Sequence, residues 1–131
     1  YERLVLEKLR PGDIHTHVYA QQFPVLDAAG RVGEHLWRAR ERGVLFDLGH
    51  GAASFWFRHA VPAIRQGFPP DTISTDLHTR NVNGVVFDQL TTMNKILAAG
   101  RLRGRLTIRA GAPVFNPEGV GLPEWEADAR P

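Results

Sequence analysis

Apolar and polar positions follow a repeating order along the first hundred residues: a short run with strand character, a stretch with helical periodicity, then a glycine or proline stop. Residues 1–9 set Leu4, Val5, Leu6 and Leu9 among charges, which reads as the end of a helix stopped by Pro11-Gly12. Residues 13–19 alternate and are rich in β-branched and aromatic side chains, the pattern of a strand. After a loop punctuated by Pro24 and Ala29-Gly30, residues 32–42 place Val32, His35, Leu36 and Ala39 on one face opposite charges, so an amphipathic helix is expected before Gly43. Residues 44–48 read as the short apolar run of a strand buried on both faces. Ser54 is a plausible N-cap for a helix over 55–66, with Pro62 kinking or shortening its first part and Gly67 at its end. Pro69-Pro70 restarts the chain into a third strand over 71–75. A polar loop over 77–84 then leads to a last helix over 87–99, closed by Gly100.

The three strand-like runs share one design: each ends in a side chain that can bind a metal. They are Gly12-Asp-Ile-His-Thr-His17, Val44-Leu-Phe-Asp-Leu-Gly-His50 and Thr72-Ile-Ser-Thr-Asp76. Consecutive strand–helix units gather polar groups at the strands' C-terminal ends, where the groups of a parallel β/α barrel converge. Two imidazoles and a carboxylate arriving there suit a hydrolytic metal site. His15 and His17 are two apart on a strand and would share a face; both could be ligands, or one or both could be packed core histidines. His17, nearer the strand end, is the stronger candidate. His50 lies between glycines that allow a sharp turn and close approach, against the alternative of a histidine in a flexible turn. Asp76 could cap the following loop, or it could ligate a metal and take the proton from bound water. His78, two residues on, could contact substrate or lie exposed. His35 and His59 fall within helices and read as structural, and Phe55, Trp56 and Phe57 read as docking their helix on the sheet.

Composition narrows the classes. At 131 residues the chain can be about half of an eight-stranded barrel, which needs about 250 residues, or a smaller α/β fold. The formal charge of +2 is too small to imply nucleic acid, and the arginines between Arg101 and Arg109 read as a solvated connector before a phosphate patch. Absence of cysteine removes disulfides, thiolate zinc sites and a cysteine nucleophile. No apolar run approaches a membrane span and no leader is visible, so no membrane partner is expected and the cytoplasm is the default compartment. No Gly-x-Ser-x-Gly elbow, phosphate loop or dinucleotide fingerprint occurs.

Taken together, Arg10-Pro-Gly-Asp-Ile-His-Thr-His-Val-Tyr19, Arg42-Gly-Val-Leu-Phe-Asp-Leu-Gly-His-Gly51 with Ser54-Phe55, and Pro70-Asp-Thr-Ile-Ser-Thr-Asp-Leu-His78 resemble the metal-dependent amidohydrolases, in particular the deacetylase and dihydroorotase-like branch. Asn83-Gly84 and Leu90-Thr-Thr-Met-Asn-Lys95 continue the likeness. The resemblance implies the C-terminal half of a (β/α)₈ TIM barrel over residues 1–100, and a remnant of a small β-domain over 101–131. It implies a divalent metal, usually zinc, and hydrolysis of an acyl amide or ester in a small-molecule substrate by metal-activated water. By resemblance His17 and His50 match the histidine ligands of the fifth and sixth strands. Asp76 matches the aspartate of the last strand, which ligates metal and shuttles the proton, while His78 and His15 are left for substrate.

The chain departs from the family pattern in several places. The family's first-strand His-x-His pair is expected upstream, which makes a separate N-terminal half a candidate partner. Binuclear members carry a carboxylated lysine on the fourth strand, but Lys8 and Lys95 are not placed for it. A seventh strand is hard to fit between His50 and Asp76. The expectation is therefore an amidohydrolase segment that is inactive alone. Its rivals are a non-catalytic binding or assembly module and a small self-contained metal-binding α/β protein.

Overall fold

A computed structural model describes residues 1–100, 107–109 and 112–115. The chain divides into two units, Tyr1–Arg101 and Leu102–Pro131. In the first, the elements run α1 (Glu2–Glu7), β1 (Ile14–His15), α2 (Glu34–Glu41), β2 (Leu45–Phe46), α3 (Phe57–Arg65) and α4 (Gln89–Ala99). In the second, β3 (Thr107–Arg109) pairs antiparallel with β4 (Ala112–Phe115). The rest of the expected β-domain remnant, including Arg101, Arg103 and Arg105, lies outside the described residues.

The sheet of the first unit is small and parallel. β1 pairs with β2 in the register Ile14↔Leu45 and His15↔Phe46. The third run joins on the other side of β2 through a parallel bridge, Asp47↔Thr72. Backbone bonds extend this pairing: Leu48 N–H donates to Thr72 O, His50 N–H to Ser74 O and Gly51 N–H to Thr75 O, each at 3.0 Å. The order is thus first, second, third segment, with residues 44–51 in the middle. The described residues form an α/β arrangement, and three segments do not close a barrel.

Alternation decides which side the core occupies. Phe46 and Leu48 are fully buried. Phe46 stacks edge-on to Phe68, which meets Trp37 of α2 in the same way. Tyr19, also fully buried, ties this layer to the loop before the third segment by donating its hydroxyl to Phe68 O at 2.9 Å. Burial of a side chain of this size is worth roughly 1.5–3 kcal/mol. The Arg40 guanidinium lies 3.9 Å from the Phe68 ring centroid and donates to Pro69 O at 2.6 Å and to Asp71 at 3.1 Å, closing the layer's edge.

The opposite side of the sheet differs from the expectation of a strand buried on both faces. Leu45 is 38% exposed and its partner Ile14 57% exposed, with Asp47 between hydroxyls on the same side. Among the described residues the helices cover one face of the sheet. Helix boundaries shift inward by one to two residues from the sequence expectation: α3 begins at Phe57 with Trp56 as its N-cap, and neither Trp56 nor Ser54 caps it through a side chain. Pro62 is carried inside α3, in its second turn.

A candidate hydrolytic site at the strand ends

The three parallel segments end side by side. Val18 N–H donates to Asp47 O at 3.2 Å on one side of the central segment, and His50 and Gly51 donate to Ser74 and Thr75 on the other. This brings His17, His50 and Asp76 out of neighbouring strands at one end of the sheet. Each turn passes through the left-handed region: φ is +61° at His17, +50° at Gly49, +51° at Gly51 and +48° at Asp76. Glycine adopts this conformation without steric cost. For a residue with a Cβ it costs about 1–2 kcal/mol, and His and Asp are among the types that tolerate it best.

The turn at His17 also breaks the alternation that would put His15 and His17 on one face. His15 lies in the aromatic layer, its ring against Tyr1, Phe23 and Phe46, with the Tyr1 hydroxyl 2.9 Å from its Nε2. Its other nitrogen, Nδ1, is buried with no hydrogen-bond partner among the described residues. Burial lowers the His15 pKa and raises that of Tyr1 to about 12. This is the packed-histidine environment. His17 instead bends over the central strand.

The glycines around His50 acquire a specific purpose here. A Cβ on Gly49 would stand 2.6 Å from His17 Nδ1, and one on Gly51 would stand 2.7 Å from Asp76 Oδ2. Both distances are impossible for real atoms. Gly49 and Gly51 therefore leave two seats, one on each side of His50, occupied by side chains from the flanking strands.

The same glycines fix the imidazoles. His17 Nδ1 lies 2.7 Å from Gly49 O, and His50 Nδ1 lies 2.6 Å from Gly51 O. A carbonyl oxygen can only accept, so each Nδ1 carries a proton, and in the neutral ring the lone pair is then on Nε2. That is the tautomer in which a histidine binds a metal through Nε2, with the other ring N–H anchored on a carbonyl. His50 is buried, and burial lowers its pKa, helped by the neighbouring Lys95 charge and opposed by the Gly51 bond.

The remaining groups are arranged more loosely. Asp76 is exposed, and its backbone carbonyl accepts from Asn81 Nδ2 at 2.8 Å. Asn81 is buried and its Oδ1 accepts from His78 N–H at 2.9 Å, which folds the 76–81 loop on itself. His78 is exposed and its Nδ1 accepts from Arg80 N–H at 3.2 Å. His59, read as structural, has its Nδ1 3.3 Å from Tyr19 O.

Two neighbours were not visible in the sequence pattern. Lys95 of α4 sets its ammonium 3.2 Å from His50 Nε2 and also donates to Val85 O, and burial lowers its pKa. Asp47 lies beneath the strand ends, 6% exposed, and accepts from Thr16, Thr72 and Ser74 hydroxyls. The donor set of two Nε2 lone pairs and a carboxylate suits zinc chemically. Among the described residues, however, no group of three His, Asp or Glu side chains is arranged to hold an ion, and a lysine faces one of the lone pairs.

Comparison with known proteins adds to this geometry. No family model matches the chain. A deacetylase of Enterococcus faecalis is 39% identical over 99 residues, covering 73% of this chain and 27% of the relative. A deacetylase of Brucella anthropi is 42% identical over 98 residues, covering 72% and 24%. Among solved structures, that of an adenine deaminase superposes with a TM-score of 0.69 at 39% identity, covering 73% of this chain and 27% of the other. That of a dihydroorotase superposes with a TM-score of 0.59 at 39% identity, covering 76% and 26%. Over about three quarters of its own length the chain is similar to proteins of the amidohydrolase superfamily. It spans about a quarter of the length of the curated relatives it matches. For an amidohydrolase segment, the parallel pairing of three strands and the polar ends they share are the features that bear on function. No helix among the described residues is long and apolar enough to cross a membrane.

Proposed function

We propose that this chain is the part of a deacetylase-like amidohydrolase that contributes His17, His50 and Asp76 to a hydrolytic centre, its sheet being a segment of a (β/α)₈ barrel. The substrate class is a small molecule bearing an acyl amide or ester. One observation carries the reading. Two imidazoles from adjacent parallel strands are both anchored through Nδ1 on the carbonyl of a glycine beside His50, and the Asp76 carboxylate from the third strand sits against Gly51.

In this reading His17 and His50 would hold a divalent ion, zinc being the best chemical match, with Asp76 as a third donor. Such an ion supplies a water acidic enough to be deprotonated near neutral pH. The exposed carboxylate of Asp76 would be the proton carrier, able to accept a proton and to return it to a leaving amine or alcohol. The seat at Gly51 keeps the carboxylate beside His50. His78, on the exposed loop after Asp76, is available to substrate through Nε2. Donors beyond the described residues are needed to complete the ion's surroundings, so the 131 residues alone are proposed to bind metal weakly and to turn over nothing.

The test has two arms. A protein of the relatives' length carrying these residues is assayed against a panel of N-acyl and O-acyl compounds, with and without EDTA. Hydrolysis that EDTA abolishes, and that Asp76→Asn reduces roughly 100- to 10,000-fold, is expected. The isolated chain with added zinc should show none. Robust EDTA-sensitive turnover by the isolated chain would sink the claim that it holds only part of the centre.

A further inference from the structure

Asp47 has no part in the chemistry just described, yet its buried carboxylate is bonded to hydroxyls of two neighbouring strands. Its Oδ2 accepts from Thr16 Oγ1 at 2.7 Å and from Ser74 Oγ at 2.6 Å, and its Oδ1 accepts from Thr72 Oγ1 at 2.7 Å. Thr16 comes from the first segment, Thr72 and Ser74 from the third, and Asp47 from the one between. One carboxylate therefore bonds hydroxyls on both neighbouring strands. Hydrogen bonds to an ionised acceptor are about twice as strong as neutral ones, and a nearly buried carboxylate needs them to offset its lost hydration.

The position of these hydroxyls matters more than their number. Thr16 immediately precedes His17, Ser74 is two residues before Asp76, and Asp47 is three before His50. The carboxylate thus grips each strand just before it turns into the left-handed residue that aims a proposed ligand. We infer that Asp47 is a positioning residue: it clamps the three strand ends so that His17 and Asp76 stay seated at Gly49 and Gly51 on either side of His50. Backbone bonds align the strands as far as Val18, Gly51 and Thr75, and Asp47 adds to them side-chain bonds on both flanks just before the turns begin. This rests on the functional reading above, and the experiment separates the failure of one from the failure of the other.

The chain and its Asp47→Asn variant are compared by zinc titration and by nitrogen-15 NMR of the histidine rings. Asparagine keeps the size but replaces one accepting oxygen by a donor, which cannot accept from a hydroxyl. The expected result is a loss of zinc affinity relative to the parent chain. The Nδ1-protonated tautomers of His17 and His50 should give way to mixtures, while His59 and the helical circular dichroism stay unchanged. Ser74→Ala and Thr16→Val, each removing one hydroxyl, should give smaller shifts in the same direction and serve if Asp47→Asn does not fold. Unaltered ring spectra at His17 and His50 in all three variants would overturn the inference. If instead the parent chain binds no zinc and His50→Ala behaves as the parent does, the metal reading fails, and the ring spectra still decide whether Asp47 positions the imidazoles.

Discussion

Gly49 and Gly51 carry two demands at once, a positive φ and the absence of a Cβ where His17 Nδ1 or Asp76 Oδ2 already stands. Alanine meets neither. Gly49→Ala and Gly51→Ala are each expected to cost about 1–3 kcal/mol, read as a lower urea midpoint at unchanged slope. Lys95 poses a different question at this scale, because its ammonium faces the lone pair that a metal would use. Replacing it by methionine, Lys95→Met, removes the competing cation and keeps the stem. Zinc affinity measured by dye competition should rise; an affinity that falls or stays level would show that the lysine does not compete. These residues also mark where sequence reasoning stopped. The Gly-His-Gly run announced a tight approach, and the approach turned out to be by His17 and Asp76. Lys95 gave no signal because helical spacing does not show what lies opposite a helix.

Element boundaries follow from local chemistry with few surprises. α4 starts where Asp88 accepts from Thr91 N–H at 2.7 Å, a side-chain cap. Those bonds hold the Asp88 carboxyl below its ordinary value of 3.8. The cap's contribution is therefore present above about pH 4 and is lost as pH falls through the depressed folded value. Asp88→Ala should lower the melting temperature at pH 7, and the difference from the parent should shrink toward pH 2; a difference independent of pH would exclude the cap as its cause. The strands were legible from their β-branched content and their Gly and Pro borders. Their faces were not. The φ of His17 cannot be read from spacing, so the expectation that His15 shares its face failed at that one turn. Asp47 interrupts the run from Val44 to Leu48, and only the hydroxyls of Thr16, Thr72 and Ser74 give it meaning.

For the molecule as a whole, acid is the informative variable. Burial lowers the pKa of both His15 and His35 below their ordinary value of 6.5, the nearby Glu2 opposing the shift at His35. The unfolded chain therefore takes up protons that the folded chain refuses. Their stabilising effect is complete above pH 6.5 and is lost as pH falls through the folded values. Urea midpoints should drop between pH 7.5 and pH 5, and His15→Phe should flatten that slope; equal slopes would remove His15 from the account. The three-strand parallel core and the family were legible because the strand motifs occur together. The closure of a barrel and the full ligand set were not, since both depend on more than these residues supply.

The side of the sheet that no described helix covers has a practical consequence. Ile14 and Leu45 present greasy surface while the layer beneath them is fully packed. A dye that fluoresces on apolar patches will therefore light up on the native chain, before any heating. Such fluorescence, ordinarily a sign of a molten state, would here accompany intact tertiary structure, and near-ultraviolet dichroism is the signal that tells the two apart.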